Sequence, residues 1–110
     1  MVPGECEMLL FMAEWIYFLH APREDFAATM TDQEREVWDR HFDRLQHLHA
    51  DGVLILAGPT LGRINTGVVV FEANDEQAAQ DIMNGDPAIA EHHATGELRR
   101  FRVALLRGRD

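Results

Sequence analysis

TDQEREVWDRHFDRLQHLHADGVLILAGP, residues Thr31–Pro59, is a capped amphipathic helix, a glycine stop and an apolar strand in one run. Thr31 followed three residues later by Glu34 makes a capping box, in which each side chain satisfies a free backbone N–H beside the other. Asp32, Glu34 and Glu36 crowd the first turns, where the positive end of the helix dipole favours carboxylates. Gly52 stands where a glycine in the left-handed region ends a helix. At 100° per residue, Trp38, His41, Phe42, Leu45, Leu48 and His49 share one face, while Asp39, Arg40, Asp43, Arg44 and His47 lie elsewhere, mostly toward water. Val53–Ala57 then reads as a continuous apolar strand stopped by Gly58-Pro59.

Toward the N-terminus, Trp15–His20 is aromatic and β-branched and reads as a strand closed by Ala21-Pro22. Arg23–Met30 is a polar connector with room for a helical turn. Toward the C-terminus, a loop to Thr66 leads into a second apolar strand, Gly67–Ala73, and the short connection makes the pair antiparallel. Asn74 or Asp75 caps a helix over Glu76–Met83. Gly85-Asp86-Pro87 restarts a short helical piece near Ala88–His92, and the last strand is expected over Glu97–Leu106, with FRVALL at its core. The order β-α-β-β-α-β is the ferredoxin-like pattern: an α+β domain with both helices on one face of an antiparallel sheet. Strands one to three are apolar on both faces, where a half-wetted sheet would alternate. No element remains to cover the second face, so a second copy is expected to cover it, giving a homodimer.

The chain has 110 residues, of which 46% are hydrophobic, enough for one domain with a modest core. That domain is expected over 12–107, beginning near Met12, with 1–11 an N-terminal extension. Met8–Leu19 is apolar apart from Glu14, but it lacks a basic leader and falls short of the roughly 20 residues that span a bilayer. The formal charge of -9 argues against nucleic acid or an anionic membrane as partner. All ten basic residues are Arg, and the chain has neither Lys nor Ser. A Schiff-base lysine, a serine nucleophile and a GK[ST] phosphate loop are therefore excluded. The single Cys6 can form neither an intrachain disulfide nor a cysteine zinc site, which suits a reducing cytoplasm. No two histidines stand four apart, so no metal is expected, and no cofactor.

Six histidines are the best acid/base groups left near neutral pH. His41 sits mid-face beside Trp38 and Leu45, and a ring buried there needs a hydrogen-bond partner or a ligand. Two readings compete: a core histidine bonded to a backbone carbonyl, or a functional group in a pocket with Trp38 and Leu45 as ligand contacts. Asp86 before Pro87 is a standard helix start by its local signal, and a capping carboxylate can still accept from an imidazole. His20 shares a strand face with Ile16 and Phe18 and is expected at a pocket mouth. His47, His92 and His93 read as solvent residues. The Arg99, Arg100 and Arg102 cluster reads as a solvated or interface strand rather than an anion site.

The stretch HFDRLQHLHADGVLILAGP (His41–Pro59) closely resembles the signature of the YCII-related family, a helix with an H…L…L…G pattern running into a strand that ends AGP. NGDP (Asn84–Pro87) resembles the family's second hallmark, and YFLHAPR (Tyr17–Arg23) is similar to its opening strand. The resemblance spans about residues 14–106. It implies a ferredoxin-like fold that dimerises through its sheets, related to the dimeric α/β barrels, and an active site pairing the helix histidine with the DP aspartate, here His41 and Asp86. Ala88 stands where an aromatic residue often follows the DP step. The function so implied is cofactor-free acid/base chemistry on a small organic molecule, with His41 as base or acid and Asp86 holding its ring. A non-catalytic module that binds a metabolite or a partner protein is the alternative. An oxygen-using monooxygenase ranks lower.

Overall fold

Capping chemistry and strand pairing together set the architecture of residues 13–108, which the computed structural model describes. The elements are β1 (Ala13–His20), α1 (Phe26–Thr29), α2 (Asp32–Ala50), β2 (Leu54–Pro59), β3 (Thr66–Ala73), α3 (Glu76–Asn84), α4 (Pro87–Ala90) and β4 (Thr95–Arg100). The expected extension over 1–11 lies outside the described residues. The sheet is antiparallel in the order β2-β3-β1-β4, the ferredoxin-like arrangement. No helix of the described residues is long and apolar enough to cross a membrane.

β1 is central, and its period of two divides the sheet. Ala13, Trp15, Tyr17 and Leu19 are buried, while Glu14, Ile16, Phe18 and His20 are half-covered. Trp15 pairs with Phe71 and Tyr17 with Val69, so these side chains meet the helices on one face. There they join Val37, Leu45, Ala79, Met83 and Ala88 in one core. Tyr17 and Phe71 are fully buried and meet edge to face, with centroids 5.9 Å apart. A register shift between Leu54 and Leu56 in β2 turns Leu56 to the outer face and Ala57 inward.

Both ends of α2 follow from local sequence. Thr31 accepts from the Glu34 N–H at 3.1 Å, and the Glu34 carboxylate accepts the Thr31 N–H at 2.8 Å. At the other end Gly52 takes φ +77°. Val53 N–H then reaches Leu48 O at 2.9 Å and Gly52 N–H reaches His49 O at 3.1 Å, the paired bonds of a Schellman stop.

Three sequence expectations need correction. The buried stripe of α2 is Glu34, Val37, His41 and Leu45; Phe42 is 60% exposed and His49 is exposed, so the apolar face is rotated toward Val37. Arg44 is not a solvent residue, because its stem runs inward and part of its guanidinium is buried. The last strand ends at Arg100 rather than Leu106. Among the described residues β4 pairs with β1 alone, and its last pair sets Arg100 opposite Trp15.

Glu34 also joins Arg23, which grips it through two bonds of 2.8 Å and lies 5.2 Å over the Phe26 ring. The Arg23 hydrogen bonds, followed by that from the Thr31 N–H, hold the Glu34 carboxyl at about 2. A carboxyl depressed in the folded state contributes stability in full above its unfolded value of 4.5, and this contribution is lost as the pH falls toward 2. Urea midpoints measured between pH 5 and 2 should therefore fall more steeply for the wild type than for Glu34→Gln. Parallel curves would show that the Arg23 grip is not formed.

Candidate functional site

Three elements deliver donors to one buried carboxylate. Asp86 precedes Pro87, whose missing N–H costs nothing at a helix start. Its Oδ1 accepts from the Ala88 N–H at 3.0 Å and so caps α4. Its Oδ2 accepts from the Tyr17 hydroxyl at 2.6 Å and lies 2.7 Å from His41 Nδ1. The Asp86 side chain is 1% exposed and that of His41 is 11% exposed. The cap reading and the His–Asp contact thus describe the two oxygens of one carboxylate. The partner of His41 is a side chain, not a backbone carbonyl.

Electrostatics fix the roles. Burial alone would raise the Asp86 carboxyl, but the bonds from His41, Tyr17 and Ala88 outweigh it and hold the group below the usual carboxylate range. Asp86 is therefore an anion at neutral pH. Burial first, and then the Asp86 charge and hydrogen bond, push the Tyr17 phenol far above its ordinary value, so it stays a protonated donor. With an anion as its partner, a neutral His41 ring carries its proton on Nδ1 and its lone pair on Nε2.

His41 lines a cavity of about 260 Å³ between α2 and the end of the sheet formed by β2 and β3. Leu19, Phe26, Trp38, Phe42, Leu45 and Val69 supply apolar walls. Asn65 also lines it, but its amide is committed to Ala27, Thr60 and Gly62 of the surrounding loops. His41 is thus the wall's available proton acceptor. Trp38 stands 6.1 Å from the His41 ring and 4.6 Å from Phe26, measured between centroids.

Of the residues expected at the site, the structure brings His41, Asp86, Trp38 and Leu45 together. His20 lines a neighbouring cavity of about 280 Å³, which shares Ala21 and Asn65 with the first, rather than the wall beside His41; its Nε2 lies 3.0 Å from Glu97 and its ring stacks on Phe18. Two residues were not placed at the site from the sequence. Tyr17 has the same strand parity as Trp15 and Leu19, and a phenol on a core face must find a partner; that signal was available. Arg44 gave no such signal. Its guanidinium packs on Gly85, where at φ −81° a Cβ would come within 2.7 Å of Nη2 and 3.1 Å of Asp81 O, so a side chain there would push the guanidinium aside. Arg44 Nη1 is buried without a hydrogen-bond partner, and its charge works against the rise at Tyr17. Among the described residues, no group of three or more His, Cys, Asp or Glu is placed to hold a metal ion.

A family model described as the YCII-related domain matches residues 15–102. Among solved structures, the chain is similar to 5-chloro-2-hydroxyhydroquinone dehydrochlorinase from Burkholderia phenoliruptrix AC1100, in its complex with 2,5-dihydroxybenzoquinone. The TM-score is 0.60 and the identity 15%, over 80% of this chain and 93% of that one. At that identity the likeness speaks to the fold. No curated protein sequence matches the chain.

Tyr17→Phe should keep the ring packing on Phe71 and lose one of the carboxylate's donors. We expect a loss of about 1–3 kcal/mol at pH 7. Because Asp86 is depressed in the fold, its contribution is present above its unfolded value and lost as the pH falls below it. The gap between wild type and variant should therefore narrow from pH 7 to pH 3 in urea titrations. An equal gap at both pH values would mean that Tyr17 does not help hold the ionised carboxylate.

Proposed function

The chain belongs to the YCII-related family, and from that premise we propose that it is a cofactor-independent acid/base enzyme acting on a small organic ring. The observation that carries this reading is the 2.7 Å contact between His41 Nδ1 and the buried Asp86 carboxylate at the wall of an apolar cavity. Asp86 orients the ring and stabilises its positive charge, and Nε2 takes a proton from the substrate. The same nitrogen then returns the proton, either to another substrate atom in an isomerisation or to a leaving group in an elimination. Neither course needs a nucleophile, which suits a chain without Ser or Lys.

The cavity supports a narrow class of substrate. Its volume admits a single substituted ring, and its Trp38, Phe26 and Phe42 walls favour a flat apolar face. A hydroxylated aromatic or quinoid compound has that shape and an acidic proton to offer. The structurally similar dehydrochlorinase was solved with such a ring bound, so elimination from a substituted hydroquinone is the first reaction to try. We further propose that the working form is a homodimer, covered on the outer sheet face, in a reducing cytoplasm.

Substituted hydroquinones and catechols should bind in the millimolar range or tighter and shift the His41 and Trp38 resonances. For any that turn over, His41→Ala should cut kcat by about 10²–10⁴-fold and leave the fold and ring binding intact. Full turnover in His41→Ala would overturn the assignment. Ring binding without turnover of any member of the class would favour the non-catalytic binding module instead.

A further inference from the structure

Beside the cavity that His41 lines, the second cavity of about 280 Å³ opens at the C-terminal end of β1, with His20, Arg23, Glu24, Ile64 and Thr66 in its wall. The two cavities share Ala21 and Asn65. Asn65 shapes the junction without offering a ligand contact, because its amide is already bonded to Ala27, Thr60 and Gly62. Ala21 presents only a methyl group at the same place. An apolar chamber with one base thus adjoins a polar chamber that the acid/base chemistry does not use.

Most polar groups of the second chamber are committed. Arg23 donates to both oxygens of Glu34 at 2.8 Å and to Thr29 O at 2.7 Å. Glu24 accepts from Arg63 at 3.3 Å. Each of these charges has an opposite charge beside it, so an ionic ligand would have to displace a partner. Two groups remain. His20 and Thr66 are directly opposite each other in the β1–β3 pair, so their side chains leave the sheet on the same side. The hydrogen bond from His20, followed by that from Arg99, holds the Glu97 carboxyl below its usual range. His20 Nε2, 3.0 Å from that anion, is therefore the donor, and the neutral ring keeps its lone pair on Nδ1. The Thr66 backbone is fixed by Thr60, whose N–H donates to Thr66 O at 2.8 Å and whose Oγ1 accepts the Thr66 N–H at 2.9 Å. Neither bond uses the Thr66 hydroxyl.

We propose that the second cavity is a subsite for an uncharged, hydroxyl-bearing arm on the ring that His41 acts on. The arm's hydroxyl donates to His20 Nδ1 and accepts from the Thr66 hydroxyl, while its carbon stem passes Ala21. This rests on the ring-binding reading and deepens it. The apolar chamber takes the flat face of the ring, and the polar chamber selects among rings by what they carry. The substrate class narrows from any hydroxylated ring to one with a short hydroxyalkyl side chain. A carboxylate arm meets Glu24 and Glu97, and an ammonium arm meets Arg23, so neither gains by entering.

Calorimetric titration at neutral pH tests this with three probes: ethylhydroquinone, hydroxyethylhydroquinone and carboxymethylhydroquinone. Each is titrated into the wild type, Thr66→Val and His20→Phe. On the wild type the hydroxyethyl probe should bind at least about 5-fold tighter than the ethyl probe, and the carboxymethyl probe no tighter than the ethyl one. In each variant the hydroxyethyl-to-ethyl ratio, in which the ring's own affinity cancels, should fall to about 2-fold or less. Thr66→Val keeps a β-branched residue in the strand and decides alone if His20→Phe fails to fold. A wild-type ratio near one, a ratio unchanged in a folded variant, or tightest binding by the carboxymethyl probe would overturn the subsite and leave the ring cavity standing. Failure of all three probes to bind the wild type would overturn the ring reading and the subsite together.

Discussion

The Asp86 carboxylate binds the architecture and the chemistry of this molecule together. A carboxylate buried without donors costs several kcal/mol, enough to unfold a small domain. Here it has three donors: a phenol from β1, an imidazole from α2 and the first free N–H of α4. Those elements are 69 and 45 residues away in the chain, or adjacent to it. Satisfying one anion therefore fixes the central strand, the long helix and the turn after α3 relative to one another. Loss of any one donor weakens the other two contacts, because all three share a single low-dielectric site.

The same network decides what the cavity can do. An ionised Asp86 leaves the neutral His41 ring one arrangement, with its proton on Nδ1 and its lone pair on Nε2. A neutral Tyr17 keeps the anion supplied with a hydrogen bond and competes for none of its protons. The ring is largely buried among apolar walls, so under the proposed chemistry charge formed on the imidazole would be answered first by Asp86. As proposed, a single base in an apolar pocket is suited to moving protons and poorly suited to nucleophilic attack or charge-selective binding.

Much of this was legible in the sequence because it was written in short-range signals. Thr31 with Glu34, Gly52, and Asp86 with Pro87 each specify backbone geometry within four residues, and each element they bound is present. His41 and Asp86 were singled out by a polar ring on an apolar face and by the resemblance of two motifs. What escaped lay beyond such signals. The last strand stops at Arg100, before the FRVALL run that the sequence offered as its core. His20 has the strand face it was read to have, with Ile16 and Phe18, and lines a cavity next to the one that His41 lines. The guanidinium of Arg44 packs against Gly85, 41 residues later, a contact that no local signal in the sequence announces.

The central claim is that an ionised Asp86 sets the tautomer of His41 so that Nε2 is free to accept a proton. Long-range ¹H–¹⁵N correlation spectra of the imidazole, recorded at a pH where the ring is neutral, read this directly. The account predicts a protonated Nδ1 and an unprotonated Nε2 for His41 in the wild type. A neutral His41 protonated on Nε2 would contradict it, because that ring could not donate to Asp86 and would have no lone pair to offer the cavity.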